Sequence, residues 1–248
     1  MELWGITDSG KVRQYNQDVF RIFSDDDKNV AVIVVCDGMG GANAGNIASE
    51  VAAEEFMRYI CTCLDDIKDQ TDIAEIMKNA VLSANRIVFE KSLYNDDLAG
   101  MGTTMTAAVS TRHGEVAANI GDSRLYHITR DAITQITKDH SVIEEMIDRG
   151  EITRSEARRH PSKNLITRAV GTSIYEPPDI FLLNLNSGDF MLLCSDGLSN
   201  VILDSEILKE FRKNRTVQET CKALVDIALS RGAPDNVTAV IFMKQEVR

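Results

Sequence analysis

Seven residues in a row, Val30-Ala31-Val32-Ile33-Val34-Val35-Cys36, carry no polar side chain, and Asp37-Gly38-Met39-Gly40-Gly41 follows at once. A short, unbroken, β-branched run of this kind reads as a buried strand, and it is far too short to cross a bilayer. The pattern returns at Met191-Leu192-Leu193-Cys194-Ser195-Asp196-Gly197-Leu198. In both places an Asp-Gly pair stands where the buried strand should stop. The expectation is that the two aspartates meet in space and hold metal, and that the rest of the chain builds sheets to bring them together.

At 248 residues the chain can bury a sizeable core as one large domain or two small ones. Its hydrophobic fraction of 44% and charged fraction of 26% are those of a soluble globular protein. The net charge of -11 argues against general nucleic-acid binding, which needs a basic face. No run of about 18 apolar residues occurs, so no membrane span is expected. The start, Met1-Glu2-Leu3-Trp4-Gly5, lacks the basic and apolar regions of a signal peptide. The five cysteines are odd in number, Cys36 and Cys194 lie inside apolar runs, and Cys61-Thr62-Cys63 lacks zinc-site spacing. These features predict a reduced, cytoplasmic protein.

Strands are expected at 2–7, 18–24 and 30–36, with Ser24–Asn29 as an acidic hairpin loop that lacks calcium-loop spacing. Apolar periodicity predicts helices over 44–60 and about 72–92, the second opening on Asp72 and Glu75 at capping-box spacing. Thr103–Thr111, Glu115–Ile120, Arg124–Thr129 and Ala132–Ile136, joined by tight turns, predict a run of antiparallel strands in series. Residues 137–175 change character: Ser141-x-x-Glu144 and Thr153-x-x-Glu156 open short helices among Arg149, Arg154, Arg158, Arg159, His160, Lys163 and Arg168, the one basic cluster in an acidic chain. Strands at about 179–184 and 189–195, helices near 204–213 and 216–231, and a last strand at Asn236–Met243 complete the order. Helices segregated from antiparallel strands indicate an α+β layered fold.

The chemistry gathers on carboxylates. Asp37, Asp196 and Asp235 stand at strand edges beside glycine or proline turns, and Asp18 and Asp122 are further candidates at element ends. Crowded carboxylates without a cation raise one another's pKa, and hard oxygen ligands select Mg²⁺, Mn²⁺ or Ca²⁺ over zinc. Five carboxylates exceed the need of one octahedral ion, so two or more ions are plausible. Gly38, without a side chain, lets its carbonyl approach an ion.

Taken in order, Arg13-x-x-Asn16-Gln17-Asp18, Asp37-Gly38-Met39-Gly40-Gly41, Gly102-Thr103-Thr104, Gly121-Asp122-Ser123-Arg124, Ser195-Asp196-Gly197-Leu198 and Asp235-Asn236-Val237-Thr238 resemble the motif series of the PPM/PP2C metal-dependent protein serine/threonine phosphatases, and most of all their bacterial branch. The resemblance runs from about residue 5 to 243. It implies one catalytic domain over 1–248, an αββα sandwich of two central antiparallel sheets between helix pairs, and a helical flap at about 137–175. It implies two Mn²⁺ or Mg²⁺ ions bridged by Asp37, with Gly38 giving its carbonyl to one and Asp196 and Asp235 completing the other. Asp18 acts through water in this scheme, Asp122 with Asp196 holds a third, weaker ion, and Arg13 binds the substrate phosphate. The implied reaction is hydrolysis of phosphoserine and phosphothreonine in phosphoproteins by a hydroxide shared between two metals, opposing a bacterial Ser/Thr kinase. A monomer without nucleic-acid or membrane partners is expected.

Two positions depart from the family pattern. Met39 replaces the histidine of eukaryotic members and cannot transfer a proton, so leaving-group protonation must come from metal-bound water or another residue, with His140 and His160 available. Gln17 stands where many members have Glu. The flap arginines, Arg158 and Arg159 among them, could draw in an acidic phosphorylated partner or could simply face solvent. Cys36 and Cys194 should be bystanders, since neither has the Cys-x₅-Arg spacing of a cysteine phosphatase. Other readings are a non-catalytic docking module with this fold, a phosphatase of an anti-anti-sigma-type regulator, and nucleotide binding through the Gly38–Gly41 loop. The last lacks Gly-x-Gly-x-x-Gly spacing and would set Asp37 against a pyrophosphate.

Overall fold

The apolar run lies in strand β3 (Val30–Met39) of a computed structural model that describes residues 2–40, 44–157, 160–213 and 215–245. Every residue from Ala31 to Cys36 is fully buried. Val30, Val32, Val34 and Cys36 face a helical layer, while Ala31, Ile33 and Val35 face a second sheet. A strand covered on both faces has no polar side to show, which is why its sequence does not alternate. Burial of each Val or Ile is worth about 1.5–3 kcal/mol, so the run fixes the centre of the fold.

Both sheets are antiparallel throughout. β2 (Asp18–Asp25), β3, β5 (Met105–Thr111), β6 (Gly114–Ile120) and β9 (Asp179–Leu183) form one in that order, with β4 (Gly102–Thr103) pairing the end of β3. The other runs β1 (Glu2–Asp8), β11 (Val237–Met243), β10 (Phe190–Cys194), β7 (Arg124–Ile128), β8 (Ile133–Gln135). Helices α1 (Ala44–Cys63) and α2 (Gln70–Leu93) cover the first sheet through Ala48, Ala52, Phe56 and Ile60 of α1 and Ile73, Met77, Ala84 and Val88 of α2. The second sheet is covered by α5 (Asp196–Ser199), α6 (Asp204–Phe211) and α7 (Val217–Ser230), with Ile207, Cys221, Leu224 and Ala228 buried. The layers are helix, sheet, sheet, helix, as the α+β sandwich expectation required. Among the described residues no helix is long and apolar enough to cross a membrane.

Four local expectations are corrected. β3 does not stop at Asp37 but continues through Met39, because Gly38 and Met39 find pairing partners in Thr103 and Gly102. The strands from 103 to 136 are not one series in one sheet: β5 and β6 belong to the first, β7 and β8 to the second, and Gly121-Asp122-Ser123 is the crossing point. The N-cap of α2 is Asp69, whose side chain accepts from Thr71 and Asp72 N–H groups, while the Asp72 carboxylate accepts from Lys68 N–H. Asp196 does not merely end a strand, since it opens the short helix α5.

Between β8 and β9 lie α3 (Val142–Asp148) and α4 (Arg154–Ala157). The two limbs of this segment are tied by an Ser141–Ile166 bridge and by Val142 N–H donating to Leu165 O and Thr167 N–H to His140 O. Among the described residues, three of its arginines are ion-paired. Arg154 pairs with Glu144, Arg149 with Glu151, and Arg168 with Glu176 and Asp179. Arg158 and Arg159 lie outside the described residues.

Candidate active site

The first sheet brings two carboxylates together by register. Asp18, the first residue of β2, is the cross-strand partner of Asp37. Asp37 is held from behind: its N–H donates to Thr104 Oγ1 at 2.9 Å, and its carbonyl accepts from Thr104 N–H at 2.9 Å. Thr104 in turn shares a 2.8 Å hydroxyl contact with Ser123, beside Asp122 at the sheet crossing. The Gly102-Thr103-Thr104 and Gly121-Asp122-Ser123 motifs thus form one clamp on Asp37.

The second sheet supplies Asp196 and Asp235. A Cβ on Gly197 would lie 1.9 Å from Asn236 O, so only glycine lets the start of α5 press against the entry to β11. Asn236 also pins the loop that carries Arg13. Its Nδ2 donates to Ser9 O and Tyr15 O at 2.9 and 3.0 Å, and its Oδ1 accepts from Gln17 N–H at 2.8 Å. The Arg13 guanidinium donates to Asp235 Oδ2 at 2.9 Å and remains half-exposed.

Asp37, Asp122, Asp196 and Asp235 line one cleft of 220 Å³ with Arg13, Gly38 and Met39. Its floor is electrostatically strained. Burial, and then repulsion from Asp18, Asp196, Asp122 and Asp235, raises the Asp37 pKa well above the usual carboxylate range. Burial pushes Asp196 up to about 6, with Asp235 adding repulsion and Arg124, Lys163 and Arg13 opposing it. Asp122 is raised by burial and by Asp196. Asp18 is buried, and burial carries it up to about 7 although Ser195 and Thr238 hydroxyls both donate to its Oδ2 at 2.7 Å. Its Oδ1 is buried with no partner at all.

An orphaned carboxylate oxygen beside mutually repelling carboxylates is the donor set of a hard divalent cation. Among the described residues, however, no three His, Cys, Asp or Glu side chains converge tightly enough to form a closed cage. An ion here would therefore keep water ligands, as Mg²⁺ does when only one or two carboxylates reach it. A second hollow of 170 Å³ shares Asp122 and Asp196 and adds Asp139, Glu144, Arg154 and Lys163.

Some side chains sequence reasoning raised are engaged elsewhere. His140 Nδ1 accepts from Gly121 N–H at 3.0 Å, and its Nε2 faces Asp179 and Arg168. His160 Nδ1 accepts from Ser162 N–H. Neither lines the cleft. The Cys36 and Cys194 thiols are buried and pushed up by that burial, Cys194 to about 12, so neither is a nucleophile. Gly38 is needed for a reason beyond its carbonyl: a Cβ there would lie 2.0 Å from Gly45 O at the start of α1. Missed altogether were Asn164 and Ile166, which reach the cleft from the segment between α4 and β9. Asn16, Ser195 and Thr238 stood inside the motifs, but their role as supports was not read. The available signal was a small polar residue close in sequence to Asp18, Asp196 and Asp235, as at Asn16, whose Oδ1 accepts from Asp18 N–H at 3.1 Å.

Known proteins resemble this chain in sequence and fold. A serine/threonine phosphatase stp of Listeria innocua is 35% identical to this chain, with 95% of this chain and 92% of that protein covered. A structure described as a bacterial serine phosphatase superposes with a TM-score of 0.92 at 34% identity, over 100% of this chain and 99% of the other. The catalytic domain of the phosphatase PstP in complex with two manganese ions matches with a TM-score of 0.82 at 33% identity, over 96% of each chain. The family described as Protein phosphatase 2C matches residues 10–239, from the turn before Arg13 to the strand after Asp235. The chain therefore belongs to the protein phosphatase 2C family.

Proposed function

We propose that this chain is a Mn²⁺- or Mg²⁺-dependent phosphatase that hydrolyses phosphoserine and phosphothreonine in phosphoproteins, opposing a bacterial Ser/Thr kinase in the cytoplasm. The observation that carries this reading is the meeting of carboxylates from both sheets with one half-exposed arginine, over a buried Asp18 oxygen that has no partner. The manganese complex of a relative supports a two-ion site.

In this reading Asp37, Gly38 through its carbonyl, Asp196 and Asp235 would hold two ions. Asp18 would act through water, and Asp122 with Asp196 would hold a third, weaker ion. When bound, the ions activate water for attack on phosphorus and offset charge on the phosphoryl oxygens. Arg13 does the work that falls to the chain itself. The carboxylate of Asp235 raises its pKa further and orients one edge of the guanidinium, leaving other N–H groups to receive phosphate oxygens in a bidentate manner. The Thr104–Ser123 clamp and the Asn236 contacts keep these groups fixed before substrate arrives, which is where catalytic advantage resides. Met39 lines the cleft without a proton to give, and neither candidate histidine is near enough to replace it.

The test is direct. Purified protein with Mn²⁺ should release phosphate from a phosphoserine peptide and from an aryl phosphate, and chelation should stop it. Absence of turnover on both substrates across a range of Mn²⁺ and Mg²⁺ concentrations would overturn the reading.

A further inference from the structure

The cleft of 220 Å³ has room for a phosphoryl group and the side chain that bears it, not for the neighbouring residues of a peptide. Those residues must cross the rim, and one side of the rim is the loop around Arg13. Its backbone is bolted down. Lys11 N–H donates to Ala233 O at 3.0 Å, Asn236 holds the carbonyls of Ser9 and Tyr15, and a Cβ on Gly10 would lie 2.2 Å from Asp235 O.

On this fixed backbone two large apolar side chains stand in solvent on either side of Arg13. Val12 is 68% exposed and Tyr15 60%. Single exposed apolar residues are ordinary on any surface. These two differ because they flank Arg13, the one arginine that lines the cleft among the described residues, and because hydrogen bonds and close packing hold the backbone of their loop in place. A rigid aromatic side chain that loses little entropy on contact is a favourable place to spend desolvation on a ligand.

We propose that Tyr15, assisted by Val12, is a specificity-determining contact that packs against the residue next to the phosphorylated serine or threonine. It favours an apolar neighbour there over glycine. The proposal rests on the phosphatase reading and on Arg13 as the phosphate ligand.

Three substrates with Mn²⁺ test it: two phosphoserine peptides that differ only in Leu or Gly beside the phosphoserine, and an aryl phosphate with no flanking chain. Wild-type protein should prefer the Leu peptide by about tenfold in kcat/KM, expressed in KM because the contact is made equally in ground and transition states. Tyr15→Ala should bring the two peptides to within about twofold, and Tyr15→Phe should keep the preference, since the ring supplies the contact. A wild-type enzyme indifferent to Leu and Gly, or a Tyr15→Ala variant that keeps the preference, overturns the proposal. So does an equal loss on aryl phosphate and peptides, which would mean that Tyr15 serves only the shape of the loop. Failure of wild-type protein on all three substrates instead overturns the functional reading beneath it.

Discussion

The two Asp-Gly pairs look alike in sequence and are built differently. At Asp37-Gly38 the strand continues, paired to Asp18 on one side and to Thr103 on the other, and Gly38 packs its bare Cα against the backbone of Gly45 in α1. At Asp196-Gly197 the strand has ended and a helical turn begins, with Gly197 packed against Asn236 at the entry to β11. One pair belongs to each sheet. What they share is not a turn type but a close backbone approach that a Cβ would block, and in each case the approach sets one aspartate opposite the other. The Asp-Gly pair is therefore a packing device first and, in the proposed reading, a ligand position second.

The sharpest way to break this comparison is to remove each carboxylate without changing its shape. Asp37→Asn and Asp196→Asn should each lower turnover by about three orders of magnitude or more, the scale lost when one member of a cooperating group is removed. Both variants should stay folded, which circular dichroism checks. A variant that kept a tenth of wild-type turnover would show that its tip is packing alone. Next come the glycines. Gly197→Ala and Gly38→Ala each place a methyl group near 2 Å from a backbone oxygen, and each should cost about 3 kcal/mol or more, lowering Tm by about 6–12 °C. Gly188→Ala is the control. Unlike Gly38 and Gly197 it sits at positive φ, but nothing lies within 4 Å of its Cβ, so it should cost only about 1–2 kcal/mol. Equal losses at Gly188 and Gly197 would refute the close-approach explanation.

Much of this was legible in the chain because the signals were local. The apolar runs of β3 and β10, the helical stripes of α1 and α2, and the Asp-bearing motifs can each be read without knowing a partner. What was not legible depended on partners distant in sequence. Nothing near Asp37 says that β3 goes on, because the strand that lets it continue is Gly102–Thr103. Gly121-Asp122-Ser123 reads as a hairpin turn, and only the placement of β7 beside β10 shows that it joins two sheets. Among the described residues of the 137–175 segment, the pairing of Arg154 and Arg168 could not be read because their carboxylates, Glu144, Glu176 and Asp179, are chosen by the fold. Asn164 and Ile166 carry no chemical signature and reach the cleft only through the path of their loop.

The tips also differ in the charge they face, and pH separates them in metal-free protein. Asp18, register partner of Asp37, titrates at about 7 and Asp196 at about 6, against an ordinary value of 3.8. Both pKa values are raised on folding, so the folded state holds more protons between about pH 4 and 7 and stability falls as pH rises through that window. His140 works the other way, since burial lowers its pKa and stability rises with pH in the range below its ordinary value of 6.5, levelling off above it. Subtracting the profile of Asp18→Asn removes that term. Thermal melts in chelator should then show wild type losing Tm relative to Asp18→Asn from pH 5 to 8, and Mn²⁺ should erase the difference. Asp37 feels four other carboxylates. Asp37→Asn should therefore stabilise the metal-free chain more than Asp196→Asn, and the reverse order would place the electrostatic centre at the second tip.

The smallest effects concern the hydroxyls behind each tip. Ser195 donates to Asp18 Oδ2 at 2.7 Å and accepts from Thr238 N–H at 3.0 Å, so it joins the second tip to the partner of the first. Thr104 accepts from Asp37 N–H and touches Ser123, so it serves the first tip alone. Removing Ser195 takes away a bond to a carboxylate and strands a buried N–H, whereas removing Thr104 strands an N–H and breaks only a neutral hydroxyl contact with Ser123. Ser195→Ala should cost about 2 kcal/mol and Thr104→Ala about 1 kcal/mol in urea unfolding of the metal-free protein. The double variant decides whether the tips are independent. If the two losses add, the tips are separate supports that happen to face one cleft. If the double loss is smaller than the sum, the pair Asp18–Asp37 already transmits strain from one sheet to the other, and the cleft is a single cooperative unit.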